Sequence, residues 1–195
     1  MSARPHHRPE PQEYLALERE AEEKHEYWNG DVVAMAGGSP EHNAICFNLA
    51  AILGPQLRGS GCRGYTSDQR VRIPLTDRYV YPDLTIVCGE PVFDEDDAQT
   101  IANPTLIVEV LSPATESKDR GPKLFGYRSL PSLRGYLLVA QDRSWVEHWS
   151  RQADGRWLVT EVEEGSMTLD LPEIGCRLPL ADVYADVNLG GATDG

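Results

Sequence analysis

The chain of 195 residues has no run approaching the roughly 20 consecutive apolar residues that a membrane-spanning helix needs, so no such helix is expected. Its first residues, Met1 to Gln12, are rich in proline, histidine and arginine and carry no apolar core. That excludes a secretory signal and makes a cytoplasmic address the expectation. Cysteine is scarce and scattered. Cys46, Cys62, Cys88 and Cys176 form no C-x-x-C pair, which argues against a zinc knuckle or a dithiol redox motif. In a reducing compartment disulfides are not expected, and Cys46 (in a helix) and Cys88 (at a strand end) read as small buried hydrophobes. Positive charge is short as well: 18 Lys and Arg face 31 Asp and Glu, a formal net charge of −13. Such a surface repels polyanions at long range, so any contact with nucleic acid needs a local basic patch and bound cations.

What is present is ordinary for a globular protein: 41% apolar and 25% charged residues, in a length that suits one domain. Residues 1–12 and 189–195 read as flexible ends around a single domain at 13–188. Residues 13–26 read as a charged surface helix, and 27–35 as a hairpin turning on Asn29-Gly30. Ser39, Pro40 and Glu41 supply an N-cap, an N1 proline and a first-turn acid. The helix they open carries His42, Ile45, Leu49, Ile52 and Leu53 on one stripe, with a kink expected at Gly54-Pro55. Strands are expected at 65–73, 80–87 and 105–111, then a helix at 119–129, then strands at 135–140, 145–150 and 156–162. Asp154-Gly155 turns the last two into a hairpin. This order predicts an α+β domain, a central mixed β-sheet flanked by helices.

The chemistry is concentrated in a few acids. Residues 105–111 are apolar and β-branched, as in a strand buried on both faces, yet Glu109 sits among them. A charged carboxylate there costs several kcal/mol unless a basic partner, a proton or a metal compensates. A purely structural ion pair is the competing explanation. The second acid is Asp83, which follows Pro82 into a strand. Alone it would read as a turn residue; with Glu109 and a backbone carbonyl such as that of Val110 it completes an all-oxygen site suited to Mg²⁺ or Mn²⁺. Such an ion generates hydroxide from water and neutralises charge on a phosphorane-like transition state. Asp119, Lys123 and Tyr127 fall at i, i+4 and i+8 of the next helix, on one face, so Lys123 could reach this site, or simply pair with Asp119. His42 reads either as a core-edge histidine or as a polar group facing the metal. Arg70 and Arg72, with Gln69 beside them, are candidate contacts to a phosphate backbone or partners for the many acids. Asp119 and Tyr127 are candidate substrate contacts too.

Pro82-Asp83, an apolar strand carrying Glu109 and a nearby lysine resemble the PD-(D/E)XK nuclease superfamily. More closely, the chain is similar to the Uma-two family of bacterial restriction-endonuclease-like proteins. The matching motifs are Glu26 to Asp31, Ser39 to His42, Ser67 to Arg72, Tyr81 to Asp83, Glu109 to Pro113, Asp119 to Lys123 and Arg134 to Val139. They span roughly Tyr14 to Val187. The resemblance implies a restriction-endonuclease-like domain and a metal-dependent DNA endonuclease, with Asp83, Glu109, Lys123 and His42 as catalytic residues. It departs from the superfamily at Leu111, where the usual strand lysine would stand; Lys123 resembles a migrated replacement. Two other functions remain open: a nonenzymatic binding module on the same fold, which the acidic charge and Leu111 favour, and a metal-dependent hydrolase of small phosphate esters. A homodimer is expected from Trp145, Trp149 and Trp157 and from the geometry of double-strand cleavage.

Overall fold

Two large sheets and a two-stranded hairpin make up the described fold, and two of the crossings between the large sheets fall inside segments that read as single strands. The computed structural model describes residues 8–163 and 167–189; of the flexible ends expected at 1–12 and 189–195, residues 1–7 and 190–195 lie outside the described residues, while Pro11 and Gln12 are helical. Helix α1 (Pro11–Glu20) leads into the hairpin β1 (His25–Trp28) and β2 (Asp31–Ala34). Asn29 (φ 47°) and Gly30 (φ 93°) form its turn, the left-handed pair that these two residues tolerate best. Helix α2 (Pro40–Leu57) begins where the Ser39 side chain accepts the His42 amide N–H, and it runs through Pro55 to Leu57.

Strands β3 (Cys62–Thr66), β4 (Arg70–Ile73), β5 (Arg78–Val80) and β6 (Leu84–Cys88) follow. Each of the expected strands at 65–73 and 80–87 is therefore broken in the middle. The breaks are those two crossings: residues 67–69 carry the chain out of the second sheet into the first, and 81–83 carry it back. Alternation of apolar residues is locally the same in either sheet, which is why the sequence pattern runs through both breaks.

With β7 (Thr100–Ile101), the first sheet has the order β2-β1-β5-β4-β7. The second adds β8 (Leu106–Leu111), β9 (Gly135–Ala140), β10 (Val146–Arg151) and β11 (Trp157–Val162), in the order β11-β10-β9-β8-β6-β3. β8 and β9 are parallel and the remaining pairs of this sheet antiparallel, so it is mixed, as expected. The parallel pair needs a crossover, which is helical from Glu116 to Arg128: α3 (Glu116–Lys118), a π-helical turn at Asp119–Lys123, and α4 (Leu124–Arg128). A π turn suits Pro122, which has no N–H for the α-helical ladder. A hairpin, β12 (Thr168–Leu171) and β13 (Cys176–Pro179), and helix α5 (Leu180–Val183) complete the described fold.

The central strands of the second sheet, β8 and β9, are buried on both faces. Leu106, Val108 and Val110 pack with Ile45, Leu49 and Leu53 of α2 and with residues of the last hairpin and α5. Ile107 and Leu111 pack on the other side with Leu124 and Tyr127 of α4 and with Val71, Ile73 and Val80 of the first sheet. Helix α1 closes the first sheet through Tyr14, stacked on Tyr27 at 5.2 Å.

The expectation of no disulfide is corrected. Cys62 and Cys88 are bonded, and they are register partners on β3 and β6. The neighbouring Gly89 N–H donates to the Gly61 carbonyl, so the cysteines occupy the close, non-hydrogen-bonded pair position, with Cα atoms 3.9 Å apart. A separation of 26 residues gives no hint of that register. Cys46 and Cys176 are free thiols.

Candidate active site

Six buried residues make up β8, and Glu109 is among them at 4% exposure. Asp83 stands at the crossing at 81–83, one residue before β6 begins, and its Oδ2 accepts the Val110 N–H at 2.7 Å. That bond ties the crossing to β8 and sets the two acids side by side, because Leu84 already pairs with Val108.

The π-helical turn buries both Asp119 and Lys123. Lys123 Nζ lies 3.1 Å from Glu109 Oε1, 3.3 Å from Asp119 Oδ1 and 3.1 Å from Oε1 of Glu26, which comes from β1. Glu26 is fixed in turn: its Oε2 accepts the Trp28 indole N–H at 3.0 Å and its Oε1 the Tyr81 amide at 3.3 Å. Tyr127 OH donates to Glu109 Oε1 at 2.9 Å, and Tyr136 OH to the Asp119 carbonyl at 3.2 Å. From α2, His42 Nε2 reaches 3.2 Å from Asp83 Oδ2, and its Nδ1 lies 3.7 Å from Cys46 Sγ.

Four carboxylates, those of Glu26, Asp83, Glu109 and Asp119, thus line one cleft of about 440 Å³ with Lys123 and His42. The exposed Lys118, the buried Lys123 and one imidazole are together fewer than the four carboxylates, so the formal balance is negative. Burial, followed by Asp119, Asp83 and Glu26, pushes Glu109 well above the usual carboxylate range against the pull of Lys123. Burial opposes the charge on Lys123, yet Glu109, Glu26 and Asp119 hold its ammonium well above the ordinary lysine value. Burial likewise opposes a charged His42, but Asp83 and the Val110 carbonyl outweigh it and raise its pKa. The Val110 carbonyl therefore faces the same space. Two carboxylates, a carbonyl and uncompensated negative charge are a donor set that fits a hard dication. A larger cleft of about 710 Å³ between α2 and β3 is floored by Leu53, Leu57, Leu84 and Ile86 and holds no comparable group of acids.

Of the residues picked out from the sequence, Asp83, Glu109, Val110, Lys123, His42 and Asp119 are brought together. Asp119 and Tyr127, read as candidate substrate contacts, are buried at 1% and 0% exposure, with their polar groups turned onto Lys123 and Glu109. Gln69, Arg70 and Arg72 have partners within the chain, the alternative that the sequence left open. Arg70 is buried and its guanidinium is used up by Thr100, Tyr81 and Asp97 at 2.9, 2.8 and 2.5 Å. Arg72 pairs with Asp77 at 2.7 Å and lies over the Tyr79 ring, while Gln69 donates to the backbone carbonyls of Arg70 and Gln99. Trp145 is core, whereas Trp149 and Trp157 are half-buried with Arg128 against both rings. Glu26 and Cys46 were not anticipated in the site. A lone acid in a four-residue hairpin strand reads as solvent-facing. The only signal for Cys46 is that it follows His42 by four residues, one helical turn.

Comparison with known proteins gives a consistent picture. Residues 11–181 match the model of the Uma2 family, described as "Putative restriction endonuclease". The chain is similar to two proteins of Synechocystis sp., "Uncharacterized protein slr1290" and "Uncharacterized protein sll1609". The first is 37% identical over 174 residues, 89% of this chain and 90% of that protein. The second is 37% identical over 150 residues, 77% of this chain and 85% of that protein. The fold resembles a crystal structure from Anabaena variabilis ATCC 29413 titled as "a putative nuclease belonging to DUF820". Its TM-score is 0.69 at 19% identity, covering 90% of this chain and 98% of that one.

Proposed function

The chain belongs to the Uma2 family of restriction-endonuclease-like proteins, and on that premise we propose that it is a divalent-metal-dependent endonuclease hydrolysing phosphodiester bonds in DNA. The observation that carries this reading is the excess of carboxylates over cations in one cleft, closed around Lys123. Asp83, Glu109 and the Val110 carbonyl would hold Mg²⁺ or Mn²⁺. When bound, the ion supplies a water of lowered pKa and neutralises charge on the phosphate.

The residues of the chain do the positioning. Tyr127 and Lys123 both hold Glu109 Oε1, which leaves Oε2 as the oxygen available to a cation. The Val110 N–H fixes Asp83. Lys123, held by three acids, places a positive charge beside the cleft where the strand lysine of the superfamily is replaced by Leu111, and it is the group that would steady a phosphate oxygen.

Nicking of supercoiled plasmid in Mn²⁺ at low salt tests the reading. Wild type is expected to nick, Asp83→Ala to lose both nicking and Mn²⁺ affinity, and Lys123→Ala to lose nicking while retaining Mn²⁺. Absence of cleavage by wild type on DNA and RNA alike would instead favour a nonenzymatic binding module, the reading that the net charge of −13 supports.

A further inference from the structure

We propose that Cys46, together with His42, joins Asp83 as a side-chain ligand in this cleft. Its cation site would then combine sulfur, nitrogen and oxygen, and take a borderline dication such as Zn²⁺ or Co²⁺ beside the Mg²⁺ or Mn²⁺ that its oxygens hold. The inference rests on the cleft being a cation site, and it concerns which ion that site takes.

Cys46 lies one helical turn beyond His42 on α2 and projects from the same face. A His42 ring nitrogen, the Cys46 sulfur and an Asp83 carboxylate oxygen all lie within 4.8 Å of one another. An ion bonded tetrahedrally at about 2.0–2.3 Å to each donor holds its ligands about 3.3–3.6 Å apart. The three donors therefore need to close by about 1.5 Å at most. The Ser39 cap fixes the start of α2, and the Val110 N–H fixes Asp83, so two of the three donors stand on anchored backbone or side chain.

Cys46 packs against the core cluster on one side and meets polar groups on the other. Cys46 is half-buried and stands against an imidazole, with the carboxylates of Asp83 and Glu109 close enough to act on it. The other three cysteines cannot partner it: Cys62 and Cys88 are bonded to each other, and Cys176 is packed in the core cluster with Leu171 and Leu178. Burial, and after it Asp83 and Glu109, push the Cys46 thiol up, and a bound dication acts against that push. The thiol then gives one proton to solvent as the sulfur–metal bond forms. Thiolate and imidazole favour Zn²⁺ and Co²⁺, whereas Mg²⁺ demands oxygen ligands and keeps its waters.

Anaerobic titration of the full chain with Co²⁺, followed by absorption and calorimetry, tests the assignment. Wild type is expected to develop a thiolate-to-cobalt charge-transfer band in the near ultraviolet, and Cys176→Ser to keep it. Cys46→Ser should lose the band and bind Co²⁺ about tenfold or more weakly, with Mg²⁺ affinity unchanged. Co²⁺ bound by wild type without the band would overturn the role of Cys46 and leave the cation site standing; the thiol would then merely orient His42 through Nδ1. Failure of Co²⁺, Mn²⁺ and Mg²⁺ alike to bind would remove the cation site itself, and this inference with it. X-ray absorption of the cobalt-loaded wild type needs no variant: a sulfur neighbour supports the proposal, and a shell of nitrogen and oxygen alone refutes it.

Discussion

Replacing Lys123 by methionine keeps the length of the side chain and removes the one lysine that Glu26, Glu109 and Asp119 share. Removing one partner from a buried ion pair costs about 3–5 kcal/mol, because the charge left behind is desolvated and unpaired. For a chain of this size 1 kcal/mol shifts Tm by about 2–4 °C, so Lys123→Met should melt roughly 6–20 °C below wild type at neutral pH. The sign of the pH dependence follows from Glu109, whose folded pKa is already raised by burial and by its acidic neighbours. Below the unfolded carboxylate value both states hold the proton and there is no penalty. As pH rises from there toward the raised folded value, only the unfolded state ionises freely, and stability falls. Loss of Lys123 widens that window, so the deficit of the variant should shrink steadily toward acid. The lysine's own raised pKa acts at the other end. Its contribution is complete below the ordinary value of 10.5 and is lost only as pH climbs through the folded value. Circular-dichroism melts across a pH series in chelator, repeated with Mn²⁺, would read all of this. A variant melting within about 2 °C of wild type at every pH would refute the view that Lys123 balances the acids.

Two other outcomes separate structure from substrate contact. Arg70→Ala leaves the buried Asp97 with only the Thr100 hydroxyl and the longer contact to Arg19 at 3.4 Å, so a loss of about 1–3 kcal/mol in chemical denaturation is expected. The salt dependence of DNA binding should not change, whereas a phosphate contact would lower its slope by about 1. Cys62→Ser should cost about 2–4 kcal/mol relative to the oxidised protein, as expected for a crosslink closing a loop of this length, and wild type should fall to the same stability in reductant. An intact mass without the two-hydrogen deficit, after purification without reductant, would show that the crosslink does not form.

The parts of the fold legible in the sequence are those determined by neighbours along the chain. Asn29-Gly30 requires a tight hairpin, Ser39-Pro40 starts a helix, and a glutamate in an unbroken apolar run needs a compensating partner wherever the strand lies. The parts that were not legible depend on the register between distant segments. Nothing in residues 65–73 says that the chain changes sheets at 67–69. Cys62 meets Cys88 only because β3 and β6 align, and Glu26 meets Lys123 only because a hairpin of the first sheet lies against a helix following the second. The role of Arg70 stayed open for the same reason. In a sequence with 31 acids, an arginine on a strand can serve a phosphate or a carboxylate equally well, and only the position of Asp97 decides.

The same acidity that argues against a nucleic-acid partner also bears on the cleft. Most of the −13 lies on exposed side chains, where screening by salt makes each charge cheap. The carboxylates of the cleft are different: Glu26, Glu109 and Asp119 are buried and share Lys123, while Asp83, His42 and Lys118 keep more contact with solvent. A fold retained only as a binding scaffold gains nothing from that arrangement; apolar residues of similar volume in place of a buried ion cluster often leave stability equal or higher. Stability given up at one locus is the pattern expected where a site is held ready for a ligand that restores the balance. The charge of the chain as a whole therefore weighs against nonspecific adhesion to DNA, while the local surplus around Lys123 weighs toward a bound dication. A dication lowers the repulsion between the cleft and an approaching phosphate, so the two signs are compatible in one nuclease.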